Sequence, residues 1–275
     1  MDLQQMRSQV IASEGNCYPA RSMAEFVHAP SFERGRGASF DFQMQIQKAS
    51  LVMLSEEGIL SEEETARIQQ ALATFPAEEV RNAPFDVREA EDMFFLIEKR
   101  LMELAGECAS NLHVGRSRND IGSAQARFTL RNGLLKLIES LNHLTEGLIA
   151  FAREHADTLM LAYTHTQQAQ PTTLGHYFSG VIQMFQRDGR RLRAAYHTVN
   201  MSPMGAGAIT TSGFPLNRET MRRLLGFDGV MENAYDCIAA PTMPVKPRPR
   251  WRCMRWTTGG WPPICSPGRR RNTAF

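Results

Sequence analysis

The feature that most restricts what this 275-residue chain can fold into is the stretch from about Asn119 to Ala152, which contains no proline. Within it Leu134, Leu137, Ile138, Leu141, Leu144, Leu148 and Phe151 recur at helical spacing. At ~1.5 Å per residue such a segment makes a rod roughly 50 Å long. A second run follows Pro171, a residue that a first helical turn tolerates, and carries Leu174, Phe178, Val181, Ile182, Phe185 and Leu192 before the next proline at Pro203. Two rods of this length with no strand alternation between them predict an all-α, elongated long-helix bundle. Their apolar residues spread over more than one face, surface that such bundles bury against other subunits, so a homo-oligomer is expected.

Upstream, Ser61-Glu62-Glu63-Glu64 has capping-box spacing ahead of Ile68 and Leu72. Asp86-Val87-Arg88-Glu89 gives a similar start signal before Met93, Phe94, Ile97, Leu101 and Leu104. A further helix is expected from Asn217-Arg218-Glu219. The chain divides into a small helical N-terminal domain (1–110), part of a central helical bundle (111–240) and a tail (241–275). No fixed-period repeat is present.

The tail differs from the rest. It holds seven of the fourteen prolines, all three tryptophans, seven arginines, one lysine and no acid. One reading is a basic, disordered interaction segment. The other is translation out of frame: read two bases later with free synonymous third positions, Pro241 to Arg255 permits an Ala- and Leu-rich helix. The second is the expectation, so the chain is read as truncated. The formal charge of +2 comes from this tail, because without its eight bases the first 240 residues carry 23 basic against 29 acidic groups. That balance argues against a nucleic-acid binder. No run approaches the roughly 18 to 20 apolar residues of a membrane span. The opening Met1-Asp2-Leu3-Gln4-Gln5 lacks a secretory pattern, so the expectation is cytoplasmic. Five scattered cysteines without a C-x-x-C pair give neither a zinc site nor a disulfide framework.

Three segments carry chemistry. His113-Val114-Gly115-Arg116-Ser117-Arg118-Asn119-Asp120 precedes the longest helix, where N-capping side chains, backbone donors and two arginines form an anion site. The plainer reading is a helix cap with solvated arginines. Thr164-His165-Thr166-Gln167-Gln168-Ala169-Gln170-Pro171 offers a histidine for proton exchange near neutrality, or simply a polar loop capping the next helix. Ser202-Pro203-Met204-Gly205-Ala206-Gly207-Ala208 reads as a flexible loop, although its glycines alone show only a tight turn. With all three at the ends of long helices, a bundle can bring them together. Their inventory suits proton abstraction beside a carboxylate and contains neither metal ligands nor a phosphate cradle.

These segments, in this order, resemble the argininosuccinate lyase family of the fumarase/aspartase superfamily. His113 to Asp120 is similar to its H-x-G-R-S-R-N-D segment, Thr164 to Pro171 to T-H-x-Q-x-A-Q-P, and Val199 to Ala208 to V-N-x-S-P-L-G-x-G-A. Glu91-Asp92 with Glu98 and Leu101, and Leu225 to Asp228 with Glu232-Asn233, extend the likeness over about 86–236, and more loosely through Phe40 to Leu60. The resemblance implies a homotetramer around a long-helix core, with active sites assembled from three subunits. It implies cleavage of argininosuccinate to arginine and fumarate with no metal or organic cofactor. Carried onto this sequence, Ser117, Asn119 and Thr164 hold substrate carboxylates, Arg118 adds positive charge or organises the loop, and His165 is catalytic, assisting proton transfer. The family's G-S-S-x-M-P-x-K-x-N-P loop has no counterpart in this sequence, and Phe94 stands where E-D-I-H has histidine. The expectation is therefore an argininosuccinate-lyase-like eliminase, inactive as this chain. The alternatives are a lyase for another amino- or amidino-linked succinate, or a non-catalytic helical oligomerisation scaffold.

Overall fold

The computed structural model describes residues 2–16 and 18–239, so the expectations for the 241–275 tail lie outside the described residues. The helices are α1 (Leu3–Glu14), α2 (Arg21–Met23), α3 (Ala29–Gly35), α4 (Ala38–Glu56), α5 (Glu62–Ala73), α6 (Ala77–Asn82), α7 (Met93–Ala105), α8 (Arg118–Glu154), α9 (Leu174–Val199), α10 (Arg218–Leu224) and α11 (Ala234–Ala239). A 3-10 helix (Glu107–His113) leads into α8. The expected predominance of long helices holds. Two small two-stranded sheets, β1 (Leu159–Thr164) with β2 (Gln167–Thr173) and β3 (Met201–Ser202) with β4 (Gly229–Val230), are additions that the helical periodicity does not announce.

Local chemistry accounts for several boundaries. At α5 the Ser61 side chain accepts from the Glu64 N–H while the Glu64 carboxylate takes the Ser61 N–H, the capping box read from the sequence. Helix α10 is capped as expected by Asn217, which accepts from the Thr220 N–H at 2.9 Å. The start signal at Asp86 does not begin a helix. Asp86 instead accepts from the Arg88 N–H at 2.9 Å in a tight turn, and α7 begins at Met93 with Asp92 as its cap. Pro171 likewise does not open α9. It lies in β2 (Gln167–Thr173), opposite Leu161 of β1 (Leu159–Thr164), and α9 starts three residues later.

The described chain separates into two compact units, residues 2–129 with 200–239, and Leu130–Val199. The core of the first unit gathers α4, α5 and α7 with the first turns of α8. Phe128 is fully buried there and stacks with Phe42 (centroids 4.7 Å apart) and Phe227 (5.1 Å). A short parallel pairing of β3 (Met201–Ser202) with β4 (Gly229–Val230) closes the 200–239 segment on itself. In the second unit, Leu134 and Leu141 of α8 bury against Val181, Phe185, Leu192, Ala195 and Val199 of α9. Gly175 permits the close approach at the start of α9, since a Cβ there would lie 2.6 Å from the Ala152 carbonyl oxygen.

Candidate functional site

In the first unit the His113–Asp120 segment becomes a turn that delivers the chain into α8. Gly115 has φ of +67°, and a Cβ on it would lie 2.6 Å from Leu216, so both conformation and contact call for glycine. Ser117 caps α8: its Oγ accepts from the Asn119 N–H at 3.2 Å, and its own N–H donates to Asp120 Oδ1 at 3.0 Å. Asp120 is fully buried and also accepts from the N–H of Ile121 at 3.0 Å and of Gly207 at 3.2 Å. Burial raises its pKa, against the pull of these bonds and of Arg116.

The two arginines of the turn play different parts. Arg116 points inward, donating to Ser50 Oγ at 3.0 Å and Gln47 Oε1 at 2.9 Å, with a buried Nε. Burial lowers its pKa to about 10, although Asp120 and Glu98 favour the charge. Arg118 points outward. It contacts the Asp92 carboxylate and lies over the rings of Phe95 (4.8 Å) and Phe94 (5.5 Å). It borders a cleft of about 260 Å³ that Arg34, Asp92, Phe94 and Gln125 also line. Ser117 is half-buried, and Asn119 is exposed.

Behind the turn, His113 Nδ1 stands 3.5 Å from Glu98 Oε1, with the Phe94 ring across the imidazole. Burial pushes the imidazole down to about 4, with Arg116 and Arg118 adding to the effect. Burial also raises Glu98, against the same two arginines.

The Ser202–Ala208 loop, expected to be flexible from its sequence, is largely buried. Residues 202–207 are buried. Met204 is a core residue, and its carbonyl accepts from Arg218 Nε at 3.0 Å. Gly205 (φ +81°) packs so closely that a Cβ would sit 2.7 Å from the Arg218 side chain. The glycines here allow a close approach to neighbours.

Thr164 and His165 belong to the second unit. They sit at the tip of the β1–β2 hairpin, Thr164 pairing with Gln167 across a two-residue turn of His165 (φ +48°) and Thr166 (φ +67°). Positive φ at both central residues is the geometry of a type I′ turn. The strand before it shows Leu159, Leu161 and Tyr163 exposed. Thus Ser117, Arg118 and Asn119 share one turn, tied to the glycine loop through Asp120, while Thr164 and His165 share the hairpin.

Asp92, Glu98 and Asp120 stand in the sequence only as members of matching segments, with no individual role, and the inward turn of Arg116 is not visible there. A signal existed for Asp120: Ser117-x-x-Asp120 has capping-box spacing. None existed for its bond to Gly207. Among the described residues no cluster of three or more His, Cys, Asp or Glu is placed to hold a metal ion. Cys108 and Cys237 are free thiols, and no described helix is long and apolar enough to cross a membrane.

The sequence profile of the lyase family matches residues 30–243. The chain belongs to this lyase family. Among its relatives, argininosuccinate lyase 2 of Agrobacterium fabrum is 42% identical over 229 residues, covering 83% of this chain and 45% of that protein. Argininosuccinate lyase of Methanosarcina barkeri is 38% identical over 201 residues, or 73% and 40% of the two chains. The lyase-family chain therefore spans less than half the length of these relatives. EDDS lyase in complex with formate superposes with a TM-score of 0.72 at 30% identity, covering 92% of this chain and 49% of that one. A fumarate lyase from Mesorhizobium sp. BNC1 (TM-score 0.66, 22% identity, 89% and 57% covered) shares the fold. The helical architecture is that of the fumarate lyase superfamily.

Proposed function

We propose that the lyase-family chain carries the carboxylate-binding part of an argininosuccinate-lyase-like eliminase, which splits a carbon–nitrogen bond to release fumarate and an amine or amidine such as arginine. The observation that carries this reading is the Ser117–Arg118–Asn119 turn: a helix N-terminus with a hydroxyl, a guanidinium and an amide presented together on a buried support. In the proposed reaction a base takes the proton from the carbon beside one carboxylate, and the charge develops on that carboxylate. Ser117 and Asn119, with Thr164, donate to it, and Arg118 adds positive charge. The carbon–nitrogen bond then breaks and the leaving nitrogen takes a proton. His165, at the hairpin tip, assists one of these transfers. No metal or organic cofactor enters the proposal.

The relatives named argininosuccinate lyase support arginine biosynthesis as the setting. A cytoplasmic location and a homotetramer that would unite the turn and the hairpin belong to the same proposal, and rest on the sequence resemblance alone. A second reading keeps the chemistry and changes the leaving group to another amino- or amidino-linked succinate. The likeness to EDDS lyase favours it, as does Phe94 with its ring facing Arg118 in the cleft.

Binding is the direct test, because the serine-loop motif of the resemblance has no counterpart in this sequence. Fumarate titrated into the chain is expected to bind and to shift the amide signals of Ser117 and Asn119, and Ser117→Ala is expected to weaken binding. Absence of binding at that turn would sink the reading and leave a helical scaffold. Fumarate release from argininosuccinate, compared with release from other N-substituted succinates, would then separate the two substrate readings.

A further inference from the structure

Asp120 has more partners than a helix cap requires. A carboxylate at the third position of a helix ordinarily reaches back to the cap residue's N–H. Here the side chain is fully buried, and both oxygens are taken up by backbone donors from two separate segments. Oδ1 accepts from Ser117 and Ile121, and Oδ2 from Gly207. The glycine loop on the far side is itself anchored, by Met204 in the core and by Arg218 on the Met204 carbonyl.

We propose that Asp120 is the positioning residue of the carboxylate site, holding the Ser117–Asn119 turn in its ligand-binding geometry by tying the Ser117 N–H to the buried loop at Gly207. The proposal rests on the reading of that turn as a carboxylate site. It resolves an apparent conflict, a carboxylate placed directly beneath a site for carboxylates. Both oxygens face backbone donors, and Arg116 lies close enough to favour their charge, so the ligand meets the outer face of the turn and not the anion. Because Ser117 Oγ already accepts from the Asn119 N–H, its hydroxyl hydrogen is left to donate to a ligand.

Asp120→Asn tests this with little change in size. Its single oxygen can serve only one side of the clamp, and its amide group meets a backbone N–H donor to donor on the other. Fumarate is the probe, titrated by calorimetry, with site-resolved amide hydrogen exchange and thermal melting measured in parallel. The expected result is at least 10-fold weaker fumarate affinity, with faster exchange at Ser117 and Gly207 and unchanged protection of Leu54 and Ile97. Fumarate affinity equal to that of the parent, or unchanged exchange at both amides, would overturn the proposal while leaving the site reading intact. A parent chain that binds no fumarate would overturn both together. Should D120N fail to fold, the unmodified chain still decides. Fumarate is expected to slow exchange at Ser117 and Gly207 alike, and protection confined to Ser117 would overturn the clamp.

Discussion

The backbone N–H of Gly207 donates to Oδ2 of Asp120 at 3.2 Å, joining positions 87 residues apart in the chain. Gly207 meets it with φ of +60°, and a Cβ there would stand 3.0 Å from the Thr211 carbonyl oxygen. Gly207→Ala is therefore expected to destabilise the first unit by about 1–2 kcal/mol, the cost of a left-handed conformation at an L-residue. Urea unfolding would show a lower midpoint with an unchanged slope. An unchanged midpoint would mean that the loop relaxes freely around the new methyl.

Arg118 holds its place by two kinds of contact, the Asp92 carboxylate and the faces of Phe94 and Phe95. Lysine keeps the charge but loses the planar fork and the stacking. Arg118→Lys is expected to weaken fumarate binding by about 3- to 10-fold. The melting midpoint should move by less than ~2 °C, because a half-exposed ion pair contributes little to folding. Calorimetric titration and a melting curve on the same sample check both halves.

His113 makes stability depend on pH in a direction that can be stated. Its pKa is about 4 in the folded chain against an ordinary 6.5, so the unfolded chain binds the extra proton between those values. The stability that comes from holding the ring neutral is complete above pH 6.5 and is lost as pH falls toward about 4. Glu98 and Asp120, with raised values, keep protons that the unfolded chain has released, and they work with the opposite sign from their ordinary values upward. The comparison that isolates His113 is the parent against His113→Gln. The parent's stability should fall more steeply with acid, by less than the one-proton limit of about 1.4 kcal/mol per pH unit, since part of the ring meets solvent. Parallel curves for the two proteins would refute it.

Phe128, packed between Phe42 and Phe227, is the place where the first turns of α8 join the core of the first unit. Phe128→Ala is expected to cost about 3–5 kcal/mol through lost burial and the cavity left behind. Phe128→Leu should cost less, because it retains most of the volume. Denaturant titration of the pair would show whether the stack, rather than the mere presence of a side chain, supports the unit.

What the sequence revealed and what it concealed separate along the distance over which each interaction acts. Leu134, Leu141 and their α9 partners are visible because burial on a helix imposes a period. Ser61 with Glu64, and Asn217 with Thr220, are visible because capping closes within one turn. Asp86 misleads for the same local reason. Its carboxylate has a nearer partner in Arg88, while Asp92 performs the capping six residues later. The β1–β2 hairpin is hidden because Leu159-Met160-Leu161-Ala162 has no strand alternation and its turn uses His165 and Thr166 where Asn or Gly would be the signal. The bond from Asp120 to Gly207 depends on tertiary structure alone. Within the candidate site, the turn and the capping position of Asp120 are legible from local chemistry, but the bond that ties them to Gly207 is not.

The hairpin tip has a consequence for anyone seeking to harden this protein. His165 and Thr166 both occupy a backbone region that glycine enters without penalty, at φ of +48° and +67°. A Thr166→Gly change therefore looks attractive to an engineer counting relaxed torsions, yet it would also loosen the backbone that carries the neighbouring His165. On the proposed role of His165 in proton transfer, thermal tolerance and the placement of that residue would be traded against each other at a single peptide bond.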